Sequence, residues 1–322
     1  MPAPDGHPAG GDADDEPAAD EPVAMVPAIE ETLASAMEPV PMEPVAPPER
    51  RSRAGRNLPE AVAVGAGLGV AVLVTLYIEK LAFLGLVLIA AALAVWELTN
   101  ALTERDVRVP LIPVLAGGAG MLFAAYFGGP EPLVLALAAT VLAVAGWRLV
   151  PDRPKGYLPD ATAGIFTALY VPFLASFALL MARADDGAER VVVFVLVTVA
   201  SDIGGYAAGV ILGRHPMAPS VSPKKSWEGF LGSACACALV GAVSVALLVA
   251  GPWWAGVLIG LAAVLTATLG DLGESMIKRD LGIKDMGSLL PGHGGVLDRL
   301  DSLLPTAPVV YLLLAVLVPS GR

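Results

Sequence analysis

The sequence predicts an all-α, polytopic integral membrane protein with about nine transmembrane helices. Hydrophobic residues make up 56% and charged residues 16% of the 322, whereas ordinary soluble domains carry about 25% charge. The apolar residues gather in stretches near the roughly 20 residues with which a helix crosses the hydrocarbon of a bilayer. These stretches lie at approximately 58–78, 81–101, 109–127, 132–149, 161–181, 190–212, 230–250, 253–273 and 303–319.

The segment before the first apolar stretch is predicted to be disordered. Residues 1–49 hold twelve acidic residues and eleven prolines but no Lys or Arg, and four arginines follow by residue 56. Such a segment buries too little apolar surface to offset the entropy lost on ordering. It also lacks the basic start and continuous apolar stretch of a signal peptide. The chain is therefore divided into an acidic, Pro-rich tail with a short basic juxtamembrane segment, residues 1–57, and a transmembrane domain, residues 58–322.

The distribution of basic residues predicts the orientation of the protein. If all nine stretches cross the bilayer, 16 of the 20 Lys and Arg residues fall on one side. Cytoplasmic loops are the ones enriched in Lys and Arg. We therefore expect a protein of the cell (cytoplasmic) membrane whose N-terminus and last long polar loop lie in the cytoplasm.

The first motif, S-D-I-G-G-Y-A-A-G at residues 201–209, places a carboxylate inside the sixth stretch. An unpaired charge in the bilayer is costly, so Asp202 is expected to face the helix bundle, a cation or a wet cavity. Tyr206 follows at i+4 on the same helix face. Gly205, Gly209 and Gly213 recur at a spacing that lets helices approach closely. Asp202 and Tyr206 are candidate substrate-binding residues; the alternative is that Asp202 is a packing residue satisfied by a neighbouring helix.

The second motif, S-P-K-K-S-W-E-G at residues 222–229, is placed in the loop after that helix. Adjacent lysines suit a polyphosphate, because each ammonium group forms charge-assisted hydrogen bonds. The substrate-binding candidates here are Ser222, Lys224, Lys225 and Glu228. The alternative is that paired lysines after a helix are an ordinary positive-inside anchor.

The third motif begins at the end of the eighth stretch with D-L-G-E-S, residues 271–275. Asp271, Ser275 (or, alternatively, the adjacent Glu274) and Lys278 share one helical stripe, because they are spaced at i, i+4 and i+7. Mg²⁺ is commonly held by one or two carboxylates together with phosphate oxygens and water. Asp271 and Asp298 are therefore the candidate metal ligands, and Ser275 is a candidate for substrate binding.

Residues 275–301 continue this motif as S-M-I-K-R-D-L-G-I-K-D-M-G-S-L-L-P-G-H-G-G-V-L-D-R-L-D. Four cations and four acids stand here at the edge of lipid, where charge is normally kept for function. The candidate catalytic residues are Lys278, Arg279, Lys284, Asp285, His293, Arg299 and Asp301. His293 has the alternative of a structural loop contact.

One further acid, Glu97 in W-E-L-T-N, lies near the end of the second stretch. A charged residue at a helix end often extends to the interface or caps the helix. Glu97 is interpreted in that way and is not included in the predicted site.

The string at 275–301 resembles, with its spacings intact, the signature of the phosphatidate cytidylyltransferases, membrane enzymes that make CDP-diacylglycerol. The D-x-G-x-Y-x-x-G and S-P-K-K-S-W-E-G motifs resemble two further blocks of that family. The resemblance covers roughly residues 58–320, and its specific motifs lie within 201–301. It implies a transmembrane cytidylyltransferase domain at 58–322 that transfers a cytidylyl group from CTP to phosphatidate and releases pyrophosphate.

The resemblance also implies roles for individual residues. Asp271 and Asp298 would bind Mg²⁺, with room for a second, monovalent cation such as K⁺, and Asp202 and Asp301 would complete the site. The residues that would neutralise phosphate are Lys224, Lys225, Lys278 and Arg299. The expected partners are CTP, phosphatidate, membrane lipid and a second copy of the chain in a homodimer, with no nucleic acid.

Two other classes of protein are weighed against this prediction. A transporter also carries charge within the membrane, but its site usually lies between inverted repeats near the midplane, and no internal repeat is found here. A CDP-alcohol phosphatidyltransferase uses paired aspartates near lipid, but it would carry a denser aspartate series with a D-G-x-x-A-R element. That element is absent from the sequence.

Overall fold

The computed structural model describes residues 58–147, 149, 156–287, 289 and 294–319, so the predicted tail at 1–57 lies outside the described residues. The described chain is almost entirely helical and adds one small two-stranded sheet. In chain order the elements are α1 (Leu58–Ile78), α2 (Lys80–Thr103), α3 (Leu111–Gly128), α4 (Pro130–Trp147), α5 (Tyr157–Ala182), α6 (Gly187–Leu212), β1 (Pro216–Ala218), β2 (Ser222–Ser226), α7 (Trp227–Leu248), α8 (Trp253–Asp280), α9 (Leu297–Leu300) and α10 (Leu303–Leu317).

The helices confirm the predicted all-α, polytopic membrane architecture. Within the described ranges, eight helical segments are long and apolar enough to cross a membrane, namely α2 to α8 and the stretch Leu297–Leu317 formed by α9 and α10. In α1 the apolar part, Gly65–Ile78, is shorter. Helices are expected here because hydrocarbon offers no partners to backbone N–H and C=O groups, so a spanning segment must satisfy them internally.

Two of the helices contain a wider, π-helical turn. One lies at Ala124–Gly128 in α3 and the other at Leu169–Phe173 in α5. The second turn contains Pro172, which lacks a backbone N–H and cannot continue a regular α-helical ladder.

Helices α6, α7 and α8 pack closely through small residues. A Cβ atom on Gly204 of α6 would lie 2.8 Å from the Gly232 carbonyl oxygen of α7, and one on Gly205 would lie 2.6 Å from Ser233 Oγ. A Cβ atom on Gly260 of α8 would overlap a carbonyl group of α7. The close packing predicted for the glycine series that includes Gly205 is therefore confirmed.

The S-P-K-K-S-W-E-G segment is more regular than the loop that was predicted. Its first residues form β2, which pairs antiparallel with β1 with Pro216 opposite Ser226 and Ala218 opposite Ser222. Helix α7 then begins at Trp227, where the Ser226 hydroxyl accepts a hydrogen bond of 3.1 Å from the Gly229 N–H. The strand pairing and the cap together hold the two lysines at one end of α7.

Helix α8 runs beyond its predicted end to Asp280, where a left-handed glycine stops it. Gly282 has a φ of +66°. The N–H of Ile283 donates to the Lys278 carbonyl at 2.9 Å, and that of Gly282 donates to the Arg279 carbonyl at 3.1 Å. This pair of bonds closes a helix in the Schellman motif and turns the chain into the polar loop between α8 and α9.

Candidate active site

The first two motifs and the start of the third meet around one cavity of about 330 Å³. The cavity lies among α6, the hairpin, α7 and α8. Its lining includes six of the predicted site residues: Asp202, Tyr206, Ser222, Lys224, Lys225 and Asp271. Residues from three separate parts of the sequence thus face one space, as a shared substrate site requires.

Asp202 and Tyr206 reach the cavity from α6. Both side chains are exposed and line it, together with Gly205 and Gly209 of the same helix. The four positions follow the spacing of one helix face, so Asp202 is directed into a polar cavity within the bundle. The arrangement matches the wet environment expected for a carboxylate at this depth.

Lys225 of β2 forms an ion pair with Asp271 of α8. The distance from Lys225 Nζ to Asp271 Oδ2 is 2.5 Å, and each side chain is 26% exposed. Lys224, by contrast, is exposed and lines the cavity. One lysine is therefore held against a carboxylate while its neighbour is available at the cavity wall.

Several carboxylates lie close enough to repel one another. Asp202 interacts electrostatically with Asp271 and Asp301, and with the cations of Lys225 and Arg299. Asp301 in turn interacts with Asp271. We call Asp202, Lys225, Asp271, Arg299 and Asp301 the charged wall; its first three members line the cavity, and the last two belong to the third motif beyond that lining.

A buried ionic network continues from this wall into α9. Glu274 of α8 is 0% exposed. The Nζ atom of Lys278 lies 3.1 Å from Glu274 Oε1 and 2.5 Å from Asp298 Oδ1. The Asp298 carboxylate also accepts hydrogen bonds from the backbone N–H groups of Met286 at 3.0 Å and Gly295 at 2.7 Å. Both oxygens of Asp298 are thus engaged by donors from the protein.

The donor set fits a hard divalent cation that is completed by substrate. Within the described ranges, no group of three or more His, Cys, Asp and Glu residues is arranged to hold a metal ion by itself. Mg²⁺ does not need such a cage, because it keeps water and takes substrate phosphate oxygens beside one or two carboxylates. Asp202, Asp271 and Asp301 supply carboxylates whose mutual repulsion a cation would relieve.

Other predicted residues lie away from the cavity or outside the described residues. Arg279 and Lys284 are exposed, and Ser275 is half-buried one turn after Asp271. Glu228 turns toward the hairpin, where its Oε1 lies 2.5 Å from His215 Nδ1. Asp285 lines a different cavity, of about 450 Å³, between the end of α2 and the polar loop. His293 lies outside the described residues.

Three residues near the charged wall were not predicted as site members. Glu274 is offered by the sequence only as an alternative to Ser275 on the stripe of Asp271 and Lys278, because local spacing does not separate two adjacent residues. Tyr170 of α5 interacts electrostatically with Glu274, Asp301 and Asp271, and its hydroxyl oxygen is buried without a hydrogen-bond partner in the described chain. A tyrosine in an apolar helix gives no signal in the sequence. Glu97 is the third, and it contacts the polar loop directly.

Comparison with known proteins identifies the family of this chain. The model of the cytidylyltransferase family matches residues 60–317, which contain every helix from α2 to α10 and the three motifs. The chain is 45% identical over 284 residues to the phosphatidate cytidylyltransferase of Mycobacterium leprae, covering 82% of this chain and 90% of the relative. It is 38% identical over 284 residues to that of Mycobacterium tuberculosis strain H37Rv, covering 84% and 86%. To that of Brucella suis it is 37% identical over 194 residues, covering 58% and 67%. The chain therefore belongs to the cytidylyltransferase family.

Proposed function

We propose that this protein transfers a cytidylyl group from CTP to phosphatidate, which gives CDP-diacylglycerol and pyrophosphate. The relatives of this chain are named for that activity. The observation that carries the proposal is the cavity within a bundle of membrane-spanning helices, where Asp202, Lys224, Lys225 and Asp271 meet. A site that combines lysine and aspartate side chains among membrane-spanning helices suits a reaction between a charged nucleotide and the phosphate group of a lipid.

The reaction needs positioning and charge neutralisation. An oxygen of the phosphatidate phosphate attacks the α-phosphorus of CTP, and the bond to the bridging oxygen of the β-phosphate breaks as pyrophosphate leaves. Little covalent chemistry is required of the protein in such a transfer. Lys224 and Lys225 are the cations at the cavity wall, and we assign them to the triphosphate. Their charge offsets the negative charge that develops on the leaving pyrophosphate.

The lipid phosphate is assigned to Arg299. This residue interacts electrostatically with Asp202 at the charged wall and also borders an apolar cavity of about 200 Å³. Every other residue that lines this apolar cavity within the described chain is hydrophobic, among them Phe83, Phe194 and Leu304. A slot with a cation at one end suits an amphipathic substrate whose acyl chain occupies the apolar part.

The metal site is assigned to Asp271 and Asp301, with Asp202 beside them. When bound there, Mg²⁺ would neutralise phosphate charge and orient the triphosphate. This assignment moves the second metal ligand from Asp298, the residue predicted from the sequence, to Asp301. The reason is that protein donors engage both oxygens of Asp298, namely Lys278 at Oδ1 and two backbone N–H groups at Oδ2. The bonds of Asp271 and Asp301 within the described chain, by contrast, involve one oxygen each, Asp271 Oδ2 with Lys225 and Asp301 Oδ1 with the Ser302 N–H. A bound monovalent cation remains a prediction.

We assign the active site to the cytoplasmic side of the membrane, because the loops expected on the same side as the site carry most of the Lys and Arg residues. The cavity, the hairpin and the polar loop would then open toward the compartment that contains CTP. The homodimer remains a prediction that native mass spectrometry of the detergent-solubilised protein would test.

The test is pyrophosphate release by the purified protein in detergent micelles. We expect release to require CTP, phosphatidate and Mg²⁺ together, and CDP-diacylglycerol to form in equal amount. Diacylglycerol, which lacks the attacking phosphate, is the matched control substrate and should give no product. Release that is equally fast without phosphatidate, or with diacylglycerol in its place, would rule out the proposed reaction.

A further inference from the structure

Glu97 of α2 carries a buried carboxylate and does not line the cavity among α6, the hairpin, α7 and α8. Its hydrogen bonds connect α2 to the start of α9. Its residue is 2% exposed. Oε1 accepts a hydrogen bond of 2.9 Å from the Val296 N–H, and Oε2 accepts one of 2.9 Å from the Leu297 N–H. The first N–H groups of a helix have no acceptor within the helix. Glu97 therefore supplies the acceptors for α9 from a position about 200 residues earlier in the chain.

Two glycines of the polar loop make room for this carboxylate. A Cβ atom on Gly287, or one on Gly295, would overlap the carboxylate group of Glu97. Gly287 lies on the arm of the loop that leaves α8, and Gly295 lies on the arm that enters α9. Glu97 thus sits between the two arms, in a space that a larger residue at either position would fill.

Asp298 joins the same two arms from within the loop. Its carboxylate accepts hydrogen bonds from the Met286 N–H on one arm and the Gly295 N–H on the other, and it pairs with Lys278 of α8. Arg105, just after α2, donates from Nε to the Leu281 carbonyl at 3.0 Å, where α8 ends. The C-terminal end of α2 and the residues just after it therefore contact the polar loop at both of its ends.

We propose that Glu97 is a positioning residue for the cytidylyl transfer, because it fixes α9 and thereby the direction of Arg299 and Asp301 toward the charged wall. The inference rests on the proposed function. An ionised carboxylate accepts from both N–H groups at once, whereas the amide of Gln would present its NH₂ group to one of them. Glu97→Gln should therefore loosen the start of α9 without a change in side-chain size.

The first measurement is hydrogen–deuterium exchange of the intact protein in micelles without substrate. We expect the peptide that contains residues 294–300 to exchange at least about tenfold faster in Glu97→Gln, since a charge-assisted hydrogen bond to a buried group is lost. Peptides from α7 should exchange as in the wild type. Glu104→Gln is the matched control, because this exposed acid lies seven residues further along and its loss makes the same charge change. Wild-type exchange in Glu97→Gln, or equally fast exchange in Glu104→Gln, would overturn the proposal.

The second measurement is the Mg²⁺ dependence of turnover in the same variants. Glu97→Gln should lower turnover at least tenfold and raise the Mg²⁺ concentration for half-maximal rate, because Asp301 is displaced. A smaller folded fraction would lower turnover but leave that concentration unchanged. Gly287→Ala should reproduce both effects with the carboxylate still present, since its methyl group occupies the same space.

The outcomes separate this inference from the proposed function. Fast exchange with wild-type turnover and Mg²⁺ dependence in both variants would show that the contact has no catalytic effect and would refute the positioning role. If the wild-type protein made no CDP-diacylglycerol, the proposed function would fail. The exchange measurement, which uses no substrate, would in that case still show whether Glu97 holds α9.

Discussion

Lys225 offers the sharpest test of the proposed site, because its neighbour Lys224 has the same charge in a different environment. Lys225 Nζ lies 2.5 Å from Asp271 Oδ2, and each of the two side chains is 26% exposed. Lys224 is exposed at the wall of the same cavity. Substituting Met for each lysine keeps most of the side-chain length and removes the charged group. The two variants therefore compare a lysine that is paired with Asp271 and a lysine that is exposed at the cavity wall.

The expected magnitudes follow from these environments. Held by Asp271, Lys225 is expected to form a charge-assisted hydrogen bond to a triphosphate oxygen in the transition state, and such a bond contributes about 1.5–3 kcal/mol. Since about 1.36 kcal/mol corresponds to a tenfold rate change, Lys225→Met should lower kcat/KM for CTP by roughly 10- to 150-fold. An exposed cation typically contributes about 0.2–1 kcal/mol, so Lys224→Met should lower kcat/KM by about fivefold at most.

The assay is initial-rate pyrophosphate release at saturating phosphatidate and Mg²⁺ with CTP varied. Thermal unfolding of both variants in the same detergent serves as the control for loss of folded protein. If Lys224→Met cost as much activity as Lys225→Met, or if Lys225→Met were near wild type, the ion pair would not be the feature that positions the phosphate-binding cation. If both variants were near wild type, the assignment of the triphosphate to this end of α7 would be wrong.

Three further predictions address the metal, the membrane orientation and the packing. Asp301→Asn should raise the Mg²⁺ concentration for half-maximal rate at least about tenfold, because a metal ligand is lost. Asp298→Asn should lower turnover with little change in that concentration. If a Mg²⁺ titration gave equal shifts for the two variants, the assignment of the metal to Asp301 would be contradicted. In a background without reactive cysteines, Lys284→Cys should react with an impermeant thiol reagent only in opened cells, and Asp185→Cys should react in intact cells. The opposite labelling pattern would reverse the orientation. Gly260→Ala should destabilise the protein by about 1–3 kcal/mol, because its methyl group would overlap a carbonyl of α7, and an unchanged thermal midpoint would show that the helices separate there at no cost.

Much of the architecture followed from the sequence, because a bilayer imposes a length and a polarity on every spanning segment. A stretch of about 20 apolar residues has few alternatives to a helix in hydrocarbon, so each of the nine predicted stretches overlaps an observed helix. Among the described residues, eight helical segments have the length and apolarity to span, and the apolar part of α1 is shorter. The same cost of burying charge made Asp202 and Asp271 stand out, and both line the cavity. The hairpin was not predicted, since strands of three and five residues, each containing a proline, are too short to give a periodic signal.

Only the tertiary structure decided which partners the acids have. Asp298 and Asp301 are three residues apart and look alike in the sequence. Asp298 nevertheless pairs with Lys278 and accepts hydrogen bonds from two N–H groups of the loop, whereas Asp301 accepts one from its neighbour Ser302 and interacts with Asp271 of the cavity. The sequence alone predicts that Glu97 extends to the interface or caps the helix on which it lies. It does cap a helix, but that helix begins 200 residues later in the chain. Local spacing determines which side chains share a face of one helix, whereas hydrogen bonds between distant segments depend on how the helices pack, and no local pattern records that packing.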